Sequence, residues 1–414
     1  MKLKREFDAA LVKHMHNIQQ ISFGDLYAIP SKNGLMAPSR LRGTGVPLIN
    51  MREIFSFSRI NTQEMELAPL PIKDSESWLV ETGDLLFARQ SLVASGAGKC
   101  VLVQEANFPR TFESHIIRVR LRRDLCNPTF FFYYFNSVYG RSSMASIVEQ
   151  VAAAGIRASD LSRLEVPVPP LALQNVIAET LGAIDDKIES LQKSVRLAQD
   201  LAQSTFKAWF VSGEHWGGLQ PSDWKAVKLK DICELRRDSV KAGKFTDLPY
   251  VPVDSLQTKN LAVHNWKPNS EAQSSLVRFE EDDILIGAMR VYFHRVAIAP
   301  FAGLTRTTAF TLRPKRKSYL AFSLLFCNEE TTIEFAQTTS KGSTMPYAVW
   351  EGGLASMDLL LPTEEVLEDF ARTVGPIIDF VKESGKQLQA LSDLRDFLLP
   401  ELLSGRIRVG EDLA

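Results

Sequence analysis

Two stretches of this chain carry apolar residues at the spacing of a packed helix, and short apolar runs fill the region before each. Ile177, Ile184, Leu191 and Ala198 recur every seven residues, with Leu181, Ile188, Val195 and Ala202 four positions further on. In the second stretch Phe370, Ile377 and Leu391 repeat the first position, while Val374, Val381 and Leu388 repeat the second. Paired apolar positions on a seven-residue repeat are the mark of helices that bury a seam against one another. The second seam is interrupted by Gly375-Pro376 and weakened at Ser384-Gly385. Proline removes a helical hydrogen bond and clashes with the preceding turn. That helix is therefore expected to be bent or in two pieces, ending near Pro400.

The regions before the helices read differently. In the first, apolar runs bounded by turn residues predict strands at Val46 to Met51, Asp84 to Ala88, Cys100 to Val103 and His115 to Val119. In the second, the same signal marks Tyr250 to Val253, Asp283 to Ile286, Arg295 to Ala299 and Ala309 to Leu312. Asn127-Pro128 ahead of an aromatic run predicts the start of a buried helix. The two halves run in the same order. Pro47 and Pro249 stand 202 residues apart, Asp84 and Asp283 199, and Pro169 and Pro362 193. The chain is thus a tandem duplication of a β-rich part plus a long helix, with loop residues lost from the second copy. The fold class is α+β, with divisions at 1–168, 169–212, 213–361 and 362–414. The seam is assigned to Ile177, Leu181, Ile184, Ile188, Leu191 and Val195 on one helix. On the other it comprises Phe370, Val374, Ile377, Val381 and Leu388. The two helices are expected to pack as an antiparallel coiled coil, with the β-rich parts at opposite ends of a rod.

Composition narrows the class only a little. A length of 414 residues allows two to four domains, and 45% hydrophobic with 23% charged residues is ordinary for a globular protein. No apolar run is long enough for a membrane span, and the charged start, Met1 to Asp8, does not resemble a secretory signal. Cys100, Cys126, Cys233 and Cys327 are scattered, which fits reduced thiols in the cytoplasm. A net charge of −1 lends no weight to a nucleic-acid partner by itself.

Catalytic motifs are missing where they would be sought. Asn127-Pro-Thr-Phe130 lacks the second proline of a methyltransferase "NPPF" loop, and reads better as a helix start. Ser95-Gly-Ala-Gly-Lys99 lacks the first glycine and the final hydroxyl of a phosphate-binding loop, so a turn between strands is expected. His14 and His16 have no further ligands beside them for a metal. Catalysis is expected from partners.

The ordered set of motifs resembles a known family. "GDLLFAR…GKCVLV" (Gly83 to Val103), "NPTFFFYYFNS" (Asn127 to Ser137), "VPVPPLALQNVIAETLGAIDDKIE" (Val166 to Glu189) and "FKAWFV" (Phe206 to Val211) look like the specificity subunit of type I restriction-modification systems. "WKAVKLKDI" (Trp224 to Ile232), "GSTMP" (Gly342 to Pro346) and "LRDFLLPELLSGRIRV" (Leu394 to Val409) extend the likeness through the second copy. "LALQ" (Leu171 to Gln174) departs from the acidic-glutamine pair usual at that helix start. The resemblance implies two target-recognition domains, each reading half of an asymmetric, split site on double-stranded DNA. It also implies spacer helices that dock two methylation subunits, with restriction subunits in the full complex and no membrane. S-adenosylmethionine, ATP and magnesium would be confined to those partners.

For DNA contact the basic and amide residues on predicted loops are the candidates, since Lys and Arg meet phosphates and Arg, Asn and Gln read base edges. These are Arg89, Gln90, Lys99 and Arg157 in the first copy, and Arg290, Arg295, Arg306 and Lys341 in the second. Tyr292, Phe293 and Tyr347 have a place in the core as the alternative to groove contact. A different function class, a coiled-coil adaptor joining two β-rich protein-binding domains, would show no salt-dependent affinity for duplex DNA.

Overall fold

The computed structural model describes residues 19–150, 154–245, 247–273, 275–404 and 406–407, so His14 and His16 lie outside the described residues. The described chain divides into two units. One takes the residues up to Asp185 together with those from Leu394 onward, and the other is Asp186–Asp393.

The first unit is built on the strand Leu85–Ala88, all four of whose residues are buried. It lies between Ile116–Leu121 and Cys100–Val103 in a sheet completed by Tyr27–Asn33 and Arg59–Ile60. A strand buried on both faces reads as an unbroken apolar run, which is why "LLFA" has no alternation. On this sheet packs the helix Pro128–Asn136, with seven of its nine residues buried. Asn127 caps it: its side chain accepts from the Thr129 N–H at 2.8 Å, and Pro128 fills a first-turn position that needs no donor. The rings of Phe23, Phe87 and Phe135 meet edge-on, with centroids 4.8–6.1 Å apart.

The second unit repeats the plan. Ile284–Gly287 is the fully buried strand, between Ala309–Pro314 and Val296–Ile298, with Cys233–Leu235 at the edge. Tyr319–Cys327 is its packed helix. The correspondence reaches single residue pairs. Leu48 lies opposite Thr111 in a parallel pair, as Tyr250 lies opposite Leu304, 202 and 193 residues on.

One polar device recurs in both. The Asp84 carboxylate, 1% exposed, accepts from Nε of Arg120 at 2.7 Å and from its NH2 at 2.8 Å, and from the Glu81 N–H at 2.8 Å. Asp283, also 1% exposed, takes the same bonds from Arg313, at 2.7 and 2.8 Å, and from the Glu280 N–H at 2.8 Å. Each aspartate therefore closes the turn before the central strand and fastens it to the neighbouring strand through a two-pronged, charge-assisted contact.

The long helices are Leu171–Phe206, of 36 residues, continued by a wider turn over Lys207–Val211, and Glu364–Leu403, of 40 residues. The expected break in the second does not occur: the helix runs continuously through Gly375-Pro376 and Ser384-Gly385. Pro376 is exposed, so the Arg372 carbonyl that loses its partner can reach water. Gly375 has no Cβ to meet the proline ring, which relieves the clash that a pre-proline residue suffers in a helix. Gly385 has a packing role, because a Cβ there would lie 2.4 Å from the Val263 carbonyl oxygen.

In the first unit Ile177 and Leu181 are buried with Leu402 and Leu403. In the second, Val195 shares a core with Phe370, Val374, Ile378 and Val381. There the helix segments run antiparallel. Phe206 meets Phe370, with ring centroids 6.2 Å apart, while Gln199 and Gly385 both lie against the 261–263 segment. Ile188, Leu191 and Leu388 are buried, whereas Ile184 and Ile377 are half-buried. Polar side chains occupy the buried stripe in their stead. Gln174, fully buried, accepts from the Asn127 N–H and donates to the Pro169 and Leu125 carbonyls. Asp185 accepts from the Tyr133 hydroxyl at 2.7 Å and from Arg395 at 3.2 Å. Gln199 accepts from the Leu261 N–H at 2.6 Å. A buried amide or carboxylate costs little once its bonds are made, and then it fixes register. The "FKAWFV" motif supplies the aromatic centre of the second unit, with Phe210 4.7 Å from Phe370 and 5.0 Å from Phe322.

Three outcomes follow from this packing. Arg120→Met strands a buried carboxylate and should cost about 3–5 kcal/mol. Asp84→Asn leaves a guanidinium that can reach water and should cost only about 1–2 kcal/mol. Urea unfolding of the two variants checks the order, and equal costs would contradict it. Gly385→Ala should destabilise the chain against the Val263 carbonyl. Gly182→Ala, with nothing within 4 Å of its Cβ, should stabilise it by about 0.5–1 kcal/mol, which thermal melts will resolve. Burial holds the His264 imidazole below its ordinary value, against a smaller opposing effect of the Ala262 backbone. The unfolded chain then binds the proton more readily, so stability should fall as pH drops through about 6.5. His264→Asn should flatten that dependence between about pH 5 and 7 in unfolding midpoints.

Candidate nucleic-acid interface

The buried strands end in corresponding hairpin tips. Leu85–Ala88 turns back into Cys100–Val103 with Phe87 opposite Cys100, leaving residues 89–99 as the tip. Ile284–Gly287 turns back into Val296–Ile298 with Ile286 opposite Val296, leaving 288–295. Because the strands below are pinned by the aspartate forks and by apolar burial, the tips are held by rigid elements, as a reading surface requires.

The first tip gathers all four candidates of its copy. The Arg89 carbonyl accepts from the Ile156 N–H at 2.9 Å, Gln90 lies opposite Gly155, and Lys99 accepts from the Ala88 N–H at 2.9 Å. Arg157 follows directly, exposed and ion-paired to Glu149 at 2.7 Å. The Lys99 ammonium donates to the Phe55 carbonyl at 2.9 Å. Desolvation, and after it the nearby Arg141, holds this amine below the usual lysine value. Leu92 and Val93, 98% and 61% exposed, stand beside these residues as apolar points on the same tip.

The second tip gathers three of its four. The Arg290 N–H donates to the Pro346 carbonyl at 2.8 Å, and Met289 and Lys341 both bridge to Tyr347. Arg295 lies over the Phe293 ring at 5.0 Å and pairs with Asp254 at 3.3 Å. Arg306 sits apart, exposed at the end of the strand Gly303–Arg306 in a different sheet. Among the described residues, the side chains of Arg89, Arg290, Arg306 and Lys341 make no hydrogen bond or ion pair. The aromatics at this tip are not in the core: Tyr292, Phe293 and Tyr347 are 46%, 37% and 45% exposed. A basic surface interleaved with exposed rings suits phosphates and bases together. The expected turn at Ser95 to Lys99 is present, with a short 3₁₀ segment at Ala94–Gly96.

Among the described residues no three His, Cys, Asp or Glu side chains lie together as a metal site, and no helix is long and apolar enough to cross a membrane. The four cysteines are all buried and free. Burial raises the thiol values of Cys100, Cys126, Cys233 and Cys327, so they are inert structural residues.

Two copies of one α+β plan, two long helices and a basic hairpin tip in each copy define the class of this fold. The model of the type I restriction modification DNA specificity domain matches residues 16–198 and 221–350, and the chain belongs to that family. The putative type I restriction enzyme MjaX specificity subunit of Methanocaldococcus jannaschii is 23% identical over 398 residues, covering 91% of each chain. The type I restriction enzyme MjaIX specificity subunit of the same organism is 22% identical over 308 residues, covering 67% of this chain and 69% of that one. The solved structure of a type I restriction-modification system S subunit from M. genitalium has the same fold. Its TM-score is 0.57 at 16% identity, covering 93% of this chain and 96% of that one.

Proposed function

We propose that this chain is the DNA-reading, non-catalytic subunit of a type I restriction-modification complex. Each β-rich copy reads one half of an asymmetric, two-part site on duplex DNA. The division of labour would follow 1–168 and 213–361 as readers, with 169–212 and 362–414 as spacers. The 36-residue helix, about 54 Å long at 1.5 Å per residue, falls in the first of these spacers. Two methylation subunits would dock on the spacer helices and restriction subunits would complete the assembly in the cytoplasm. S-adenosylmethionine, ATP and magnesium would serve those partners.

The observation that carries this reading is the repeated hairpin tip with unlike chemistry. Corresponding hairpins, of different tip length, present Arg89, Gln90 and Lys99 in one copy, and Arg290, Tyr292 and Arg295 in the other. Conserved frames with divergent tips suit two different half-sites, so a palindromic target is not expected.

The test is duplex binding by the chain with its methylation partner across a salt series. Affinity should fall steeply with salt, and Arg290→Ala or Lys341→Ala should each reduce the slope by about one where a phosphate contact is lost. No sequence-selective duplex binding at low salt would point to the adaptor reading instead.

A further inference from the structure

We infer that His115 is a base-reading residue of the first copy, accepting a hydrogen bond from an exocyclic amino group, adenine N6 or cytosine N4, with Glu113 positioning its ring. This rests on the DNA-reading function proposed above and names one of its contacts.

His115 stands just before the strand Ile116–Leu121, at the base of the first hairpin tip. Its carbonyl accepts from the Arg89 N–H at 2.7 Å, which fixes the His115 backbone to the first residue of that tip. The ring is half-exposed, and its Nδ1 lies 2.8 Å from Oε2 of Glu113. A carboxylate only accepts, so Nδ1 carries a proton, and in the uncharged tautomer that this contact selects Nε2 is the acceptor. Among the described residues Nε2 has no partner. In the major groove the donors that such a nitrogen can meet are adenine N6 and cytosine N4.

The Glu113 carboxylate is held for this task. The residue is 7% exposed, its N–H donates to the Ile49 carbonyl at 3.1 Å, and its carbonyl accepts from the Ile116 N–H at 3.1 Å. A solvated surface pair would have neither side chain buried nor backbone pinned on both sides. The groove beside the ring is lined by Arg42, Asn50, Arg52 and Glu66. There Arg42 neutralises Glu66 at 2.7 Å, and Arg52 neutralises Glu53 at 2.9 Å.

The second copy supplies an independent observation. Its Ala288 N–H donates to the Thr308 carbonyl at 2.9 Å, the counterpart of the bond from Arg89 to His115. The strand that follows starts at Ile116 in one copy and Ala309 in the other, each paired with the last residue of the central strand. Glu113 and His115 therefore correspond to Arg306 and Thr308, at a constant spacing of 193 residues. On one shared backbone bond, one copy mounts a carboxylate-held imidazole and the other a hydroxyl with an exposed guanidinium. Such a position sets specificity, and Arg306, apart from the other candidates of its copy, gains a place in the same scheme.

The experiment is selection from a random duplex pool by the full chain with its methylation partner, followed by sequencing. The wild type should prefer adenine or cytosine on one strand at one base pair of one half-site. His115→Ala should reduce that preference by roughly ten-fold while leaving the other half-site intact, which also certifies that the variant is folded. Glu113→Gln should relax the same base pair and no other. A His115→Ala chain that selects the wild-type motif at full discrimination overturns the inference, as does relaxation spread evenly over every position. A wild-type chain that enriches no motif overturns the DNA-reading function itself.

Discussion

The fork between a buried aspartate and an arginine on the next strand is the constraint on which each copy depends. Asp84 and Asp283 lie at the base of the central hairpins, where a charge that is not compensated could not be kept. By binding the guanidinium and the N–H of the turn at once, the carboxylate sets both where the strand begins and which residues of its neighbour it faces. One residue of slippage would turn every side chain of the strand to the opposite face. The tips that carry the basic and aromatic side chains inherit their position from that bond.

The long helices obey a related rule with different side chains. Their stripes are mostly apolar, but Gln174, Asp185 and Gln199 sit within the buried line and find partners in the β-rich part of their own unit. Lys382 does likewise in the second unit, meeting Asp282 at 2.6 Å and Glu281 at 3.0 Å. Burial alone would lower that amine, yet the hydrogen bonds to Asp282 and Glu281 outweigh it and raise the value above the usual lysine range. These polar pegs have directional partners, so they fix where along a helix the domain sits, which greasy contacts alone would leave free to slide.

Much of this was legible in the order of residues, and the reasons for the rest are physical. The repeat, the capped helix at Asn127 and the buried strands could be read because each is a local pattern of polarity and turn chemistry. The arginine partners of the aspartates could not: Arg120 and Arg313 lie 36 and 30 residues away, and only strand register brings them in. The helix seam drifted from Ile184 to Asp185 because 3.6 residues per turn is not 3.5, and because a carboxylate on a heptad reads as solvent-facing until its partners are known. Pro376 looked like a break since its cost was counted without the glycine before it or the water beside it. At the candidate interface, loops carrying Arg89, Gln90, Lys99 and Arg290 were legible as loops. The exposure of Tyr292, Phe293 and Tyr347 was not, because an aromatic residue in a tip and one in a core look alike in sequence.

The tips share a feature with a consequence for how such proteins change. The bond that locks each tip, from Arg89 to His115 in one copy and from Ala288 to Thr308 in the other, involves main-chain atoms alone. That bond does not depend on which side chains the paired residues carry. Outward-facing positions such as Arg89 and Arg290, whose side chains make no hydrogen bond or ion pair among the described residues, can therefore be rewritten with the main-chain lock in place, and target preference becomes an exchangeable part. A chain built this way can acquire a new target by a handful of substitutions, and each of its two tips can drift without the consent of the other.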